Sequence, residues 1–267
     1  MAPDTLSLAL KVAIVTGSGR ENGIGAGIAL ALARNGARVA INFVSDASAP
    51  RAATVAASIE AATGQKPAVV QADVATPEGA AKLVSETLKA FGTDTIDILV
   101  NNAGSGSGHG KTLLELSPED IHAGYAANLY TTFFVTQAAV PHMPRGGRVV
   151  NVGTVISRVS LPGVSVYGSS KAAQDYLTLA WALELGRSRG ITVNTVAPGP
   201  TGGTDAGGWL PAGSVRDVIA KRLTEATVAE ERAGTVEDVA DAVLLIASEK
   251  SRWITGQYVA AGGGIAW

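Results

Sequence analysis

Short apolar runs alternate with longer, alanine-rich segments of helical periodicity along the whole chain. In the run Ile98-Leu99-Val100 every position is apolar, which is typical of a strand that is covered on both faces. The apolar runs predict seven strands: Lys11–Thr16, Arg38–Phe43, Pro67–Gln71, Ile96–Val100, Arg148–Val152, Thr192–Ala197 and Gln257–Ala261. The helical segments between them are Gly25–Asn35, Pro50–Thr63, Thr76–Phe91, Pro118–His142, Tyr167–Arg189 and Val236–Ser248.

This alternation predicts the fold class. Strands joined by helices of about ten or more residues require crossover connections, which bring the strands into a parallel sheet with helices on both faces. We therefore expect an α/β protein built on a doubly wound, Rossmann-like parallel sheet. Because no linker, internal repeat or low-complexity tract divides the chain, residues 1–267 are expected to form a single domain.

One segment departs from the alternation. The stretch from Gly199 to about Gly213 is rich in glycine and proline and precedes a helical segment, Ser214–Glu225. A loop of this length in a compact domain is usually a functional lid or partly disordered. Within it, Trp209 and Leu210 either line a substrate mouth or pack against their own loop.

Composition and charge narrow the classes of function. The formal net charge is −2, and the sequence has no run of basic residues. Binding to a nucleic-acid backbone needs clustered Lys and Arg, so no nucleic-acid partner is expected. The chain has no cysteine, which excludes disulfides, thiol catalysis and thiolate metal sites. Its three histidines, His109, His122 and His142, are not spaced as a metal site, so we expect no metal.

The chain also lacks membrane signals. No apolar segment reaches the ~18 residues that a bilayer-spanning helix needs. Met1–Leu10 has no cationic start followed by a long apolar stretch, so no secretory leader is expected. We therefore expect no membrane partner and a cytoplasmic location, which agrees with the absence of cysteine.

The first predicted strand ends in the glycine-rich run Thr16–Gly25, and a helix follows directly. Glycines at such a turn let backbone amides approach a pyrophosphate at the positively polarised helix N-terminus. The position between a strand and a helix favours this interpretation over a turn without a ligand. The candidate phosphate contacts are Gly17, Ser18, Arg20, Gly23, Ile24 and Gly25.

The end of the second strand bears on the choice of dinucleotide. NAD sites usually carry an acid there for the ribose 2′-hydroxyl, whereas this chain has Asn42-Phe43-Val44-Ser45. Arg20 can pair with a 2′-phosphate, and Ser45 can donate a hydrogen bond to it. Asp46 argues mildly for NAD, and Arg20 alone is also typical of a solvated loop charge. NADP(H) is the predicted cofactor.

Tyr167 and Lys171 stand four residues apart in a predicted helix, so their side chains lie on one face. A phenol with a pKa of about 10 is a poor acid–base group at neutral pH, and a nearby ammonium lowers that pKa by stabilising the phenolate. The hydroxyl of Thr154, just past the fifth strand, can hydrogen-bond a substrate oxygen as charge develops on it. Taken singly, a tyrosine and a lysine at this spacing are more often a packing residue and a solvated charge.

Further motifs follow the strands in a set order. They are Asp73-Val74 after strand three, Asn101-Asn102-Ala103-Gly104 after strand four, Asn128 in the next helix, Pro198-Gly199 after strand six and Ile254–Gln257 before the last strand. Together with the glycine-rich turn and Thr154, Tyr167 and Lys171, this set resembles the short-chain dehydrogenase/reductase family over nearly the full chain. Within the family it is most similar to the NADPH-dependent fungal naphthol reductases and the ketoacyl reductases.

The resemblance implies a role for each matching residue. Tyr167 is expected to donate and accept the proton, Lys171 to lower the pKa of Tyr167 and hold the nicotinamide ribose, and Asn128 to support a proton-relay water. Family members usually pair through the two long helices, so a homotetramer or homodimer is expected. The remaining cofactor contacts that it implies are Asp73 and Val74 at the adenine, Asn101 and Gly104 along the adenosine ribose, Pro198 and Gly199 after strand six, and Thr201 or Thr204 at the nicotinamide amide and phosphates.

The glycine-rich loop departs from the family pattern in its length. Five residues stand between Gly17 and Gly23, whereas the family usually has three. The loop around the pyrophosphate is therefore longer, and the pattern leaves open which of Ser18, Gly19 or Arg20 touches phosphate.

Two further positions differ from the family. Thr154 stands thirteen residues before Tyr167, where the family has serine; threonine keeps the hydroxyl but has less rotamer freedom. Ser157 is the alternative donor if this register is wrong. Gly262 replaces the usual Asp before the terminal glycines, which is expected to affect local structure or subunit contacts.

We therefore expect an oxidoreductase that moves a hydride between NADPH and a ketone or secondary alcohol. The apolar lid and the lack of a carboxylate clamp favour a hydrophobic ketone, aromatic or polycyclic. The segment Ser105–Gly110, which contains His109, is a further candidate for the substrate mouth.

Two alternatives stand beside this expectation. A 3-oxoacyl-carrier-protein reductase would need a basic patch for an acidic carrier, but Arg145, Arg148 and Arg158 are scattered in the sequence. A non-catalytic, nucleotide-bound regulator of the same fold belongs to another class. The complete set of catalytic side chains argues against it.

Overall fold

A computed structural model describes residues 5–106, 110–203, 221–222 and 224–265. Seven strands form one sheet: β1 Val12–Val15, β2 Arg38–Phe43, β3 Ala68–Gln71, β4 Ile98–Asn101, β5 Arg148–Val152, β6 Thr192–Pro198 and β7 Tyr258–Ala261. Their order is β3-β2-β1-β4-β5-β6-β7, and every neighbouring pair is parallel. The predicted doubly wound α/β sheet is confirmed.

Helices flank the sheet on both faces. They include α1 Ile24–Arg34, α2 Ala49–Thr63, α3 Pro77–Phe91, α4 Pro118–Tyr125, α5 Thr131–Ala139, α6 Ser165–Arg189 and α7 Val236–Ala247. Polar residues cap three of these helices at their N-termini. Thr76 accepts a hydrogen bond from an amide of the first turn of α3, and Ser117 and Thr235 form reciprocal capping boxes at α4 and α7.

The predicted helical stretch Pro118–His142 is confirmed, but it is not a single regular α-helix. A π-helical turn, Ala126–Tyr130, lies between α4 and α5. Asn128 lies within this turn, and its side-chain amide donates to the Gly124 carbonyl at 2.9 Å. A π-helical turn of this kind is rare and often found at functional sites. Hydrophobic periodicity does not reveal it, because the helical pattern continues on either side.

The sheet separates two hydrophobic cores. Alternate residues of a strand point to opposite faces. In β1, Ala13 and Val15 contribute to the core beneath α1, α2 and α7, whereas Ile14 faces α3, α5 and α6. All three side chains are fully buried, which accounts for the uninterrupted apolar runs in the sequence.

The carboxyl ends of the strands meet at one edge of the sheet. The strand order changes direction between β1 and β4, so the connections from these strands run to opposite faces and leave a crevice between them. Thr16, directly after β1, accepts hydrogen bonds from the amides of Asn102 and Ala103, directly after β4, at 2.9 Å each. The two loops are thereby held side by side at the edge where the candidate residues lie.

Candidate active site

Thr154 and Tyr167 meet at the carboxyl end of β5. Thr154 is buried and opens a short 3₁₀ turn, and Tyr167 lies in the first turn of α6. Their side chains share a hydrogen bond. The Thr154 hydroxyl also accepts from the Ile156 amide at 3.3 Å, which leaves its single proton available to an oxygen beside it.

Ser157, the alternative donor from the sequence, is directed elsewhere. Its hydroxyl oxygen lies 2.6 Å from Asp175 Oδ2 and 2.8 Å from the Thr154 carbonyl oxygen. The hydroxyl that is bonded to Tyr167 is that of Thr154. This geometry favours Thr154 as the donor and gives Ser157 a different set of contacts.

Burial raises the pKa of the Tyr167 phenol above its usual value, and the hydrogen bond from Thr154 opposes this only in part. The sequence led us to expect that Lys171 would lower the pKa of Tyr167. Lys171 Nζ instead donates to the Val152 carbonyl at 2.8 Å and to Gln174 Oε1 at 3.1 Å. In this arrangement Tyr167 therefore holds its proton at neutral pH.

Lys171 is a buried amine, 3% exposed. Burial lowers its pKa to about 8, and the charge of Asp175 acts in the opposite direction. The amine is therefore charged below about pH 8 and loses its charge above that value. A group that changes charge this close to neutral pH is typical of a functional site.

Asn128 and Lys171 enclose the backbone of Gly104. Asn128 is fully buried and exchanges two hydrogen bonds with the main chain of Ser105, at 3.0 and 2.8 Å. A Cβ at Gly104 would lie 2.8 Å from Asn128 Oδ1 and 3.8 Å from Lys171 Nζ. Only glycine fits, and its absence of a side chain brings the loop after β4, the π-helical turn and α6 into one wall of the site.

The glycine-rich loop crosses the N-terminus of α1. Gly17 has a φ of 61°, and a Cβ there would lie 2.8 Å from the Ala103 Cα, so glycine alone lets the loop approach β4. Gly23 caps α1 without a side-chain hydrogen bond, and the first turn, which contains Ile24 and Gly25, has no acidic residue. The helix thus presents its positively polarised end to the edge of the sheet.

Ser18, a candidate phosphate contact, is fully buried. Its hydroxyl donates to the Val15 carbonyl at 2.7 Å and accepts from the Asn42 amide at 3.1 Å. Its own amide donates to the Asn42 carbonyl at 3.0 Å. Both polar groups join the loop to β1 and β2, which leaves neither for a phosphate.

Arg20 and Ser45 both lie near the end of β2. Gly19, the residue before Arg20, packs closely on this strand, since a Cβ there would lie 2.7 Å from the Phe43 Cβ. Arg20 and Ser45 are exposed. Arg20 thus directly follows a residue that packs on the end of β2, and Ser45 lies two residues beyond the last residue of that strand.

A second cation at this place was not predicted. Arg51, near the start of α2, contacts Glu21 Oε2 and Asn22 Oδ1, each at 2.7 Å. Glu21 and Asn22 belong to the lengthened loop, so Arg51 ties that loop to α2. Nothing in the spacing of these residues signals the contact, because it depends on how two loops meet.

Asp73 and Val74 differ in accessibility. Asp73 is exposed at an open depression of about 440 Å³ beyond β2 and β3, whereas the Val74 side chain is 5% exposed and packs in the core. The Val74 side chain is therefore unavailable to a ligand. The residues that line the depression are Val44, Gln71, Ala72, Asp73, Glu78, Gly79 and Lys82.

Asn101 was expected along the adenosine ribose. Its side chain points into the protein, and the residue is 1% exposed. Its Nδ2 donates to Thr136 Oγ1 and Asn151 Oδ1, each at 2.9 Å. Neighbouring residues at a strand end face opposite sides, and it is Asn102 that faces the glycine-rich loop, through Nδ2 to the Thr16 carbonyl at 2.8 Å.

The end of β6 forms the far side of the site. Gly199 follows the buried Pro198. It packs so closely against Gly262 that a Cβ at Gly199 would lie 2.8 Å from the Gly262 Cα. A Cβ at Gly262 would lie 2.8 Å from Val155 Cγ1, so this position has no room for the aspartate usual in the family. The Thr201 hydroxyl donates to the Gly199 carbonyl at 3.2 Å. The predicted positions that lie outside the described residues are His109, Thr204, Trp209 and Leu210.

Two residues of α6 belong to this site but were not predicted. Gln174 is fully buried and links Lys171 to Thr132 Oγ1, to which its amide donates at 2.7 Å. Asp175 acts on the charge of Lys171 and contacts Ser157. Both follow Lys171 at helical spacing, three and four residues later. This helical spacing in the sequence could have identified both residues as neighbours of Lys171.

Within the described ranges, no group of three or more His, Cys, Asp or Glu side chains is placed to hold a metal ion. No helix in that part of the chain combines the length and apolar character needed to cross a bilayer.

The chain is similar to known proteins over almost its full length. A family model described as Enoyl-(Acyl carrier protein) reductase matches residues 17–266. The short-chain dehydrogenase/reductase FrzI of a Cladobotryum species is 39% identical and covers 97% of each chain. A hydroxynaphthalene reductase of Aspergillus fumigatus is 35% identical over 95% of this chain and 91% of its own. The crystal structure of a short chain dehydrogenase from Burkholderia cenocepacia in complex with NADP has a TM-score of 0.85 at 39% identity, covering 97% of this chain and 98% of that one.

Proposed function

Because the chain belongs to the short-chain dehydrogenase/reductase family, we propose that it is an NADP(H)-dependent carbonyl reductase or alcohol dehydrogenase. It transfers a hydride between the nicotinamide and a ketone or secondary alcohol. The observation that carries the proposal is the hydrogen bond of Tyr167 with Thr154, beside the buried amine of Lys171. The NADP complex of the Burkholderia cenocepacia dehydrogenase supports the cofactor, and the Aspergillus fumigatus relative supports the reaction.

The residues at this edge of the sheet fit a bound NADP(H). The glycine-rich loop and the N-terminus of α1, which has neither a side-chain cap nor an acid in its first turn, suit a pyrophosphate. Arg20 and Ser45 offer a cation and a hydroxyl to a 2′-phosphate. Asp46, the acid next to them, accepts from Gln71 Nε2 at 2.8 Å and is thereby turned towards β3. When bound, the cofactor supplies the hydride.

The side chains of the protein supply orientation and the proton. The Thr154 hydroxyl hydrogen-bonds the substrate oxygen. Tyr167, which keeps its proton at neutral pH because burial raises its pKa, donates that proton as the oxygen gains charge. The charge on Lys171, present below about pH 8, stabilises the tyrosinate that remains. The Asn128 side chain is engaged by Ser105 and Gly124, and we propose that the main chain of the π-helical turn, beside Lys171, supports a proton-relay water.

This arrangement favours reduction at neutral pH. Reduction of a ketone begins with a protonated Tyr167, which burial supports, whereas oxidation of an alcohol begins with the tyrosinate, which burial disfavours. We propose a hydrophobic ketone as the substrate, consistent with the name of the Aspergillus fumigatus relative. We also propose that residues 1–267 form a single catalytic domain.

The contacts of two arginines weigh against a 3-oxoacyl-carrier-protein reductase. Arg148 is 4% exposed and pairs with Glu249 at 2.9 Å, and Arg158 lies 3.5 Å over the ring of Tyr258. Arg148 is therefore unavailable to a basic patch for an acidic carrier, which leaves the exposed Arg158 as the one accessible cation of this pair.

We expect the purified protein to oxidise NADPH in the presence of a hydrophobic ketone, with a higher kcat/KM for NADPH than for NADH. A panel of aromatic and aliphatic ketones, followed by the loss of NADPH absorbance, tests the reaction. Arg20→Ala should lower the ratio of kcat/KM for NADPH to kcat/KM for NADH about ten-fold or more. The reason is that a charge-assisted hydrogen bond to phosphate contributes roughly 1.5–3 kcal/mol.

The matched control is Arg34→Ala, an exposed arginine at the other end of α1, which should keep the native preference. Equal use of both cofactors by the native protein would contradict the assignment of NADPH. Failure to reduce any ketone in the panel would contradict the proposed reaction itself.

We further propose that the chain forms a homodimer or homotetramer. Tyr176, Leu179 and Leu183 form an apolar stripe along α6, with exposed fractions of 70%, 49% and 76%. Tyr130 and Phe133, in the π-helical turn and α5, are also partly exposed, at 42% and 40%. A contiguous apolar surface of this kind is typical of a protein–protein interface.

Light scattering at micromolar concentration should give a mass of two or four chains. Leu183→Glu should lower that mass, because it places a charge in the apolar stripe. Leu10→Glu, at an exposed leucine outside α5 and α6, should leave it unchanged. The mass of a single chain for the native protein would refute the proposed assembly.

A further inference from the structure

Two side chains without a role in the proposed reaction converge on the Thr154 main chain. Ser157 Oγ lies 2.8 Å from the Thr154 carbonyl oxygen and 2.6 Å from Asp175 Oδ2. Tyr258, at the start of β7, donates its hydroxyl to the same carbonyl at 3.2 Å. The turn after β5, helix α6 and strand β7 are thus joined at one residue. That residue is the one whose hydroxyl contacts Tyr167.

Asp175 determines where the single hydroxyl proton of Ser157 points. A hydroxyl has one proton and a carbonyl oxygen only accepts, so Ser157 cannot make a full donation to both neighbours. A charged Asp175 takes this proton, at the shorter of the two distances, and the Ser157 amide still donates to the Thr154 carbonyl at 3.2 Å, so the carboxylate holds the turn that carries Thr154. Burial raises the pKa of Asp175, which brings the protonated form closer to the neutral range.

Asp175 also faces the buried amine. It follows Lys171 by four residues on α6, so the two side chains lie on one helix face. Its charge raises the pKa of Lys171, against the lowering by burial. The charges of Arg158, after β5, and of Lys171 itself favour the carboxylate, and the phenol of Tyr258 on β7 is the third ionisable group beside it.

We propose that Asp175 is a positioning residue of the active site, which orients Thr154 through Ser157 and keeps Lys171 charged. The proton transfer by Tyr167 depends on Thr154 and Lys171. Asp175 is connected to both, because it contacts Ser157 in the turn after Thr154 and its charge acts on Lys171. The kinetic part of this inference rests on the proposed reductase function. The effect on Lys171 does not, because that charge exists without substrate or cofactor.

The charge of Lys171 can be measured in the ligand-free protein. With ¹³C-labelled lysine, the Cε resonance of Lys171, assigned by its loss in Lys171→Arg, is followed against pH. We expect a midpoint of about 8 in the native protein and a fall of roughly half a pH unit or more in Asp175→Asn, because loss of the opposite charge favours the neutral amine. Asp175→Glu and Ser157→Ala keep the carboxyl group and should stay close to the native midpoint.

Kinetics tests the link to Thr154. Ser157→Ala and Asp175→Asn should each lower kcat about ten-fold, because the first removes and the second weakens the side-chain contact that holds the turn carrying Thr154. The alkaline limb of the pH profile of kcat should also move to lower pH in Asp175→Asn but not in Ser157→Ala. Asp241→Asn, an exposed acid on α7, is the matched control, and the free energy of unfolding of each variant is measured in parallel.

An unchanged Lys171 midpoint in folded Asp175→Asn overturns the proposal, because a merely structural role would leave that midpoint in place. If Asp175→Asn does not fold, Ser157→Ala decides, since it leaves α6 intact; a native kcat in Ser157→Ala overturns the proposal. A native protein that reduces no ketone contradicts the proposed function instead. The Lys171 titration then still tests the inference on Asp175.

Discussion

Replacing Tyr167 with phenylalanine should lower kcat for ketone reduction by about 10³-fold, within the range for loss of a general acid. The substitution removes the proton that the reduced oxygen requires and leaves the ring in the first turn of α6. Binding of NADPH should persist because no phosphate contact is lost, so the effect should appear in kcat rather than in the KM for NADPH. Steady-state kinetics measures kcat, and a fluorescence titration of NADPH measures binding.

Tyr176→Phe is the matched control for this variant. Tyr176 lies on the same helix, in the apolar stripe of the proposed interface, and phenylalanine keeps its apolar ring, so its hydroxyl should be dispensable and kcat should stay native. Tyr167→Phe should also lower the free energy of unfolding by only about 1 kcal/mol, because one hydrogen bond is lost. If Tyr167→Phe retains kcat within ten-fold of the native value, another group delivers the proton and the site is assigned wrongly.

Most of the sheet could be predicted from the sequence because most of its strands are covered on both faces. In β1, every residue from Val12 to Val15 is at most 1% exposed, so no polar position interrupts the apolar run. The edge strand β3 is different, since only Val70 among its four residues is buried. Its prediction depended on the surrounding alternation of strands and helices rather than on its own pattern.

The direction of side chains at strand ends could not be predicted in the same way. Ser18 and Asn101 belong to motifs that the sequence placed at the cofactor, yet both are buried. Ser18 is held by Asn42 of β2, and Asn101 by Asn151 of β5. These partners are distant in sequence, so neither periodicity nor the spacing within a motif reveals which side the residue faces.

The sequence also could not decide whether Thr154 or Ser157 donates to the substrate oxygen. The two residues are three positions apart, and the sequence left both as candidate donors. In the structure, a 3₁₀ turn carries Ser157 over the Thr154 carbonyl, with the Ser157 amide donating to it at 3.2 Å. The Ser157 hydroxyl is therefore brought against Asp175, and the Thr154 hydroxyl remains beside Tyr167.

Variants of Thr154 should separate the role of its hydroxyl from that of its methyl group. Thr154→Ala removes both and should lower kcat about 10²-fold, the size expected for loss of one donor to a developing oxyanion. Thr154→Ser keeps the hydroxyl and should retain most of kcat. Thr154→Val keeps the branched shape without the hydroxyl and should fall as far as Thr154→Ala. NADPH binding should survive all three changes, because none removes a phosphate contact.

Ser157→Ala completes the comparison, because the two residues exchange roles if the thirteen-residue register is wrong. With Thr154 as the donor, Ser157→Ala should cost only about ten-fold in kcat, since it acts through the main chain of Thr154. A nearly native kcat in Thr154→Ala, together with a large loss of kcat in Ser157→Ala, would reverse the assignment. Ser157 would then be the donor to the substrate oxygen, and Thr154 a packing residue at the end of β5.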